Sequence, residues 1–215
     1  MARQLRAEQT RAAIITAAAD LFDRRGYEST SLSDIVEYAQ VTKGALYFHF
    51  AAKQDLAHAI MELQSRNLQR LAAEMDSRGY TALEALIRTT FAMARLSVEG
   101  PVPRAGLRLA ADGLALPPAF PHPFAQCLEL STRRLHGAVK EADLQPDIDV
   151  DAAAHSLVCS LVGTRIVGHH LEPVTRQPRR LAEMWHILIR GIVPVPRRAR
   201  YLSLVTQLER EIRTV

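Results

Sequence analysis

Apolar residues in this chain recur at spacings of three and four almost from end to end, while strict alternation of apolar with polar residues is nearly absent. That periodicity restricts the chain to an all-α fold. Glycines and prolines cut the pattern into helical stretches of ordinary length. The 215 residues leave room for one domain or two small ones, and 48% hydrophobic against 23% charged residues is enough apolar side chain to fill a core.

Several function classes drop out. Cys127 and Cys159 stand alone and form no CxxC pair, which removes disulfide scaffolds and zinc ribbons and fits a reducing cytoplasm. The N-terminal MARQLRAEQTR is charged where a signal peptide turns apolar, and no stretch approaches the roughly 18 apolar residues of a membrane span, so neither secretion nor membrane insertion is expected. GxSxG, HExxH, P-loop and GxGxxG motifs are absent from the sequence, so no catalytic residue and no cofactor is assigned. No metal site is assigned either. His155 and Cys159 lie one helical turn apart without a third ligand, the adjacent His169 and His170 point about 100° apart on a helix, and DIDVDA at 147–152 has Ala152 where a calcium loop needs glycine and Val158 where it needs glutamate.

The predicted first helix runs through RAEQTRAAIITAAADLFDRRG, with Ile14, Ala17, Ala18, Leu21 and Phe22 on one stripe and Gly26 as its stop. Ser31 opens a second as N-cap, with Asp34 in the position of a capping box, and Leu32, Ile35, Val36 and Ala39 form its inner face. After a break at Gln40 and Val41, Thr42 caps TKGALYFHF. Two helices this short and this close must cross steeply, as in a helix-turn-helix. A long amphipathic helix is predicted over 52–74, then others near 81–99, 103–112, 124–143, 150–170, 179–192 and 197–213. DGLALPPAFPHPF, with Pro117, Pro118, Pro121 and Pro123, reads as a loop.

Net charge is only +4, and acids and bases nearly balance in the first seventy residues, so an argument for nucleic acid rests on placement rather than total charge. Placement supplies it. The helix after the tight turn begins with small and basic residues, and the first residues of a recognition helix are those that meet base edges in a major groove. Lys43 and Tyr47 share one face, Gly44 permits close backbone approach, and Ala45 and Leu46 turn toward the second helix. Lys53, at the start of the next helix, suits a phosphate.

The segment VTKGALYFHF, followed by Lys53 and Leu56 and preceded by AADLFDRRGYESTS, resembles the N-terminal domain of the TetR family of transcriptional repressors over about the first seventy residues. The resemblance implies a homodimer of about ten helices per subunit, with a three-helix helix-turn-helix DNA-binding head at 1–52 and a helical ligand-binding and dimerisation bundle at 53–215. It points to double-stranded DNA with a pseudo-palindromic operator as partner, and to Ser31, Ser33, Thr42, Lys43, Gly44, Ala45, Tyr47, Phe48, His49 and Lys53 as the DNA-binding set. In the body, PVPRAGLRLAADG, the proline-rich loop and FAQCLELSTRRL resemble the γ-butyrolactone autoregulator receptors of antibiotic-producing bacteria, in which a small lipid-like lactone releases the dimer from its promoters. Many members of that subgroup carry a tryptophan on the helix after the loop, where this chain has Cys127, and its sole tryptophan is Trp185.

An apolar effector pocket is expected among Phe91, Leu109, Phe124, Cys127, Leu128 and Trp185, spread over separate helices, with the indole N–H of Trp185 free to orient a carbonyl. DAAAHSLVCSLVGTRIVGHHL and RRLAEMWHILIRGIV are apolar on more than one face, as a four-helix dimer interface requires. The reading is of a cytoplasmic, nucleoid-associated repressor without enzymatic activity, with the helix at 52–74 as the lever between body and head. A helical adaptor, or a DNA-bound factor acting through a protein partner, is the alternative.

Overall fold

The computed structural model describes residues 2–113 and 122–213. The loop prolines 117, 118 and 121 and the side chains of His169 and His170 lie outside the described residues. Among those described there is no strand. Helix α1 spans Ala2–Arg25, α2 Leu32–Tyr38, α3 Lys43–His49, α4 Lys53–Ser77, α5 Ala82–Glu99, α6 Pro101–Ala111, α7 Pro123–Lys140, α8 Val150–Leu171, α9 Gln177–Ile192 and α10 Val195–Arg213.

The helices form two compact units, residues 1–66 with 99–123 and residues 67–98 with 124–215. In the first, Ile14, Ala18 and Phe22 of α1, Ile35 of α2, Leu46 of α3, Leu56 and Ile60 of α4, and Ala105 and Leu109 of α6 share one core. The stripe at 14, 17, 18, 21 and 22 is therefore buried as its spacing requires. Gly106 on α6 is essential to this packing, because a Cβ there would lie 2.7 Å from Gln64 Cβ on α4.

In the second unit, Leu83, Leu86 and Phe91 of α5, Leu135 of α7, Leu157 of α8, Trp185 and Ile189 of α9, and Tyr201 and Val205 of α10 make a separate core. Two of its carboxylates reach across the unit. Glu141 Oε2 accepts from Ala82 N at 2.7 Å, capping α5 from across the unit, and Arg197 reaches buried Asp143 at 2.5 Å.

Several details differ from the sequence reading. Helix α1 begins upstream of Arg6, and α7 stops at Lys140 because Ala142 takes a positive φ of 56°. A single 3₁₀ turn, Val174–Arg176, leads into α9. A further difference concerns apolar length: Val150–Gly168 on α8 is long and apolar enough to cross a bilayer by length and composition, contrary to the expectation that no stretch would be. Counting apolar runs missed it because Asp151, His155 and Arg165 interrupt the run without lowering the average enough. Only a small part of that helix is buried within the chain: Val150, Ala154 and Leu157 join the second unit's core, while Ile166 and Val167 are exposed.

Candidate nucleic-acid interface

Helix α1 ends where Gly26, at φ +88°, turns the backbone into the left-handed region that only glycine enters without strain. Thr30 Oγ1 donates back to Gly26 O at 2.9 Å and closes the loop. Ser31 then caps α2 reciprocally: its Oγ accepts from Asp34 N at 3.1 Å while Asp34 Oδ2 accepts from Ser31 N at 2.8 Å and from its hydroxyl at 2.7 Å. The backbone N–H of Ser31 is the main reason the Asp34 carboxyl is held below its ordinary pKa, with the Ser31 hydroxyl second.

The turn between α2 and α3 contains no glycine. Gln40 takes φ +53°, and Val41 N bonds back to Val36 O at 3.2 Å. Thr42 Oγ1 accepts from Ala45 N at 3.1 Å and starts α3. Seven residues then divide by face. Leu46 is fully buried and Ala45 half-buried, while Lys43, Gly44, Tyr47 and Phe48 are exposed, Phe48 by 79%. His49 is half-buried and meets the Phe48 ring edge-on at 5.0 Å. A Cβ on Gly44 would come within 4 Å of nothing but Thr42 Oγ1, so no internal packing calls for glycine there.

Ser31, Ser33 and Thr42 are exposed at the starts of α2 and α3. Lys53 is less open: its Nζ donates to Tyr27 O at 2.9 Å and sits 4.2 Å over the Tyr27 ring. Tyr27 in turn packs on Phe22 at 5.4 Å. Two anchors of this head went unread in the sequence. Tyr38 donates to Asp20 Oδ2 at 2.6 Å, and that hydrogen bond is the largest cause of the rise in the Tyr38 pKa. Arg11 lies over the ring of buried Phe50 at 5.1 Å. An aromatic and an opposite partner on neighbouring helices was the available signal, but nothing local fixes the pairing.

The exposed face of α3 thus offers an ammonium, a phenol, two ring surfaces and a bare backbone patch, on a helix held by its own cap and a buried leucine. Such a face can donate to base edges and phosphates at once.

The second expected constellation is only partly assembled. Phe91 and Trp185 are buried in the second unit's core, with Leu128 packed against it. Phe124 and Leu128 share α7 rather than lying on separate helices, and Leu109 belongs to the first unit's core instead. Trp185 Nε1 is committed to Thr90 Oγ1 at 2.9 Å, and Thr90 donates to Ile87 O at 2.7 Å, so the indole N–H has a partner already. Burial pushes the Cys127 thiol up to about 11. Among the described residues no three His, Cys, Asp or Glu side chains cluster as metal ligands.

Comparison with known proteins agrees with this geometry along the chain. Residues 14–60 match the family of bacterial regulatory proteins, tetR family, and residues 80–194 match the tetracyclin repressor-like C-terminal domain. The chain is 36% identical over 189 residues to the A-factor receptor protein of Streptomyces griseus, a match covering 87% of this chain and 66%, just under two thirds, of that receptor's length. The crystal structure of a γ-butyrolactone receptor, an ArpA-like protein, superposes with TM-score 0.88 at 66% identity, covering 96% of this chain and 99% of that one. CprB from Streptomyces coelicolor, in complex with its biological operator sequence, gives TM-score 0.87 at 66% identity, with the same coverage. The head and the bundle both match across their helices, and the chain belongs to the TetR family of bacterial transcriptional regulators.

Proposed function

We propose that the protein is a homodimeric transcriptional repressor that reads a pseudo-palindromic operator through α3 and is released by a small apolar effector of the γ-butyrolactone class. The observation that carries the reading is the face of α3: Lys43, Gly44 and Tyr47 point out of a helix whose opposite side, Leu46, is fully buried. Lys43 donates to a guanine edge or phosphate, Tyr47 and Phe48 meet thymine methyls or backbone, and bare Gly44 lets the helix sit deep in the groove. Ala45 and His49 flank this face, and Ser31, Ser33, Thr42 and Lys53 hold phosphates at the helix starts. Functionally the chain divides into a head at 1–52 and a regulatory part at 53–215.

Dimerisation uses the outward apolar residues of α8 and α9, among them Leu171 and Ile187, exposed by 75% and 73% in the single chain. A helix of membrane-spanning composition in a regulator of this family is accounted for by a second copy, not by a bilayer. Two heads one helical turn of DNA apart, about 34–36 Å, require a two-fold operator. The effector lies among Phe91, Cys127, Leu128 and Trp185, where a lactone carbonyl competes with Thr90 Oγ1 for the indole N–H of Trp185. Cys127 takes less room on α7 than the tryptophan that the resemblance to the butyrolactone receptors implies there, which suits a larger or differently shaped acyl chain. Helix α4, continuous through both units, transmits the change.

Binding of operator and effector is reciprocal, with a coupling of about 1–3 kcal/mol typical of such switches. Titrating an operator-bound sample with synthetic acyl-γ-butyrolactones of varied chain length tests this. At least one lactone is expected to lower operator affinity tenfold or more, and operator to weaken that lactone's binding by the same factor. A series that binds without changing DNA affinity contradicts the repressor-release reading.

A further inference from the structure

Helix α6 follows α5 in sequence but packs along α1 in the first unit. Its two arginines converge on the last turn of α1. Arg104 Nε lies 2.6 Å from Asp23 Oδ2, with the side chains exposed by only 15% and 7%. Its Nη1 donates to Gly100 O at 3.1 Å, so one guanidinium joins the start of its own helix to the end of α1. One turn later, Arg108 donates to the main-chain carbonyl of Asp23. Its Nη2 stands 3.1 Å from where a Cβ on Gly26 would be. Carbonyls in the last turn of a helix carry the negative end of its dipole, so cations are well placed there, and a nearly dry carboxylate such as Asp23 is costly to leave without its partner.

The contacts continue from that point toward the exposed face of the head. Gly26 O is the acceptor for Thr30, and Ser31, the next residue, caps α2. Tyr27, adjacent to Gly26, holds Lys53 at the start of α4 through both its carbonyl and its ring. Asp23, Gly26 and Tyr27 therefore connect α6 to the first residues of α2 and of α4, and neither arginine lies on the face presented by α3.

We propose that Arg104 and Arg108 are positioning residues for operator reading: they clasp the end of α1 so that the placement of α6 sets the placement of α2 and α3. The clasp rests on the operator-reading proposal only for the DNA part of its test.

Hydrogen exchange on the full-length protein and its Arg104→Ala, Arg104→Lys and Asp23→Asn variants tests it without DNA. In Arg104→Ala and Asp23→Asn, amides of residues 32–49, which touch neither arginine, are expected to exchange at least about fivefold faster while α8 and α9 keep their rates, and Arg104→Lys is expected to restore most of the protection. Acceleration confined to α6 and the last turn of α1 overturns the proposal, as does acceleration spread equally through α8 and α9. With a selected operator duplex, Arg104→Ala is expected to lose at least about threefold in affinity with an unchanged salt dependence. Unchanged affinity, or a flattened salt dependence that marks a lost phosphate contact, also overturns it. If the unaltered protein binds no duplex, the operator reading fails while the exchange result still decides the clasp.

Discussion

Lys43 and Tyr47 sit one turn apart on the exposed side of α3, and neither has a packing role that its removal would disturb. Lys43→Ala is expected to leave melting unchanged and to cost about 1–3 kcal/mol in operator affinity, with relaxed preference at one base position, as measured by anisotropy at fixed salt. Both residues were legible in the sequence because the cap at Thr42 and the apolar position of Leu46 fix the phase of so short a helix. Trp185 was legible only as a large apolar residue. Its bond to Thr90 joins positions 95 apart, and no local pattern encodes that distance. Cys127 carries a different prediction. With its thiol raised to about 11 by burial, alkylation of a Cys159→Ser variant at pH 8 is expected to stay slow until the chain unfolds. Rapid labelling of the folded variant would contradict that burial.

Caps were the most readable elements. Ser31 with Asp34 and Thr42 with Ala45 each close within three residues, so spacing alone predicts them. The Asp34 carboxyl is depressed in the folded state, so its contribution is complete above the ordinary carboxylate value of 3.8 and is lost as pH falls below it toward the lowered native value. The melting temperature of the native chain should accordingly fall more steeply below about pH 4 than that of Asp34→Asn, by calorimetry across that range. Long-range devices were not readable. The cap of α5 comes from Glu141, and the head recruits α6 through arginines 81 and 85 residues from Asp23. Gly106 carries no local signal that marks it as a packing contact, yet a Cβ there would meet Gln64 at 2.7 Å. Gly106→Ala is expected to destabilise the first unit by about 1–3 kcal/mol in chemical denaturation, through overpacking of α6 against α4.

For the assembled protein, the apolar surplus of α8 and α9 was visible in sequence, but which side chains stay outside was not, because both helices also feed the second unit's core. Ile187 projects from α9 while Trp185 and Ile189 on either side of it are fully buried. Ile187→Glu is expected to leave the single chain folded, shift sedimentation from dimer toward monomer, and abolish specific operator binding, since one head alone makes half of the contacts. The all-α class and helix order followed from periodicity. The grouping of α6 with the head did not, because it depends on tertiary pairs rather than on pattern.

The claim that α3 reads DNA as part of a dimer is tested most directly by selecting bound sequences from a random duplex pool at near-physiological salt, with a Lys43→Ala, Tyr47→Ala double variant in parallel. The unaltered protein is expected to enrich a two-fold symmetric site and the double variant none. Equal enrichment by both, or none by either, would contradict it and leave a helical adaptor that binds protein as the better description of the head.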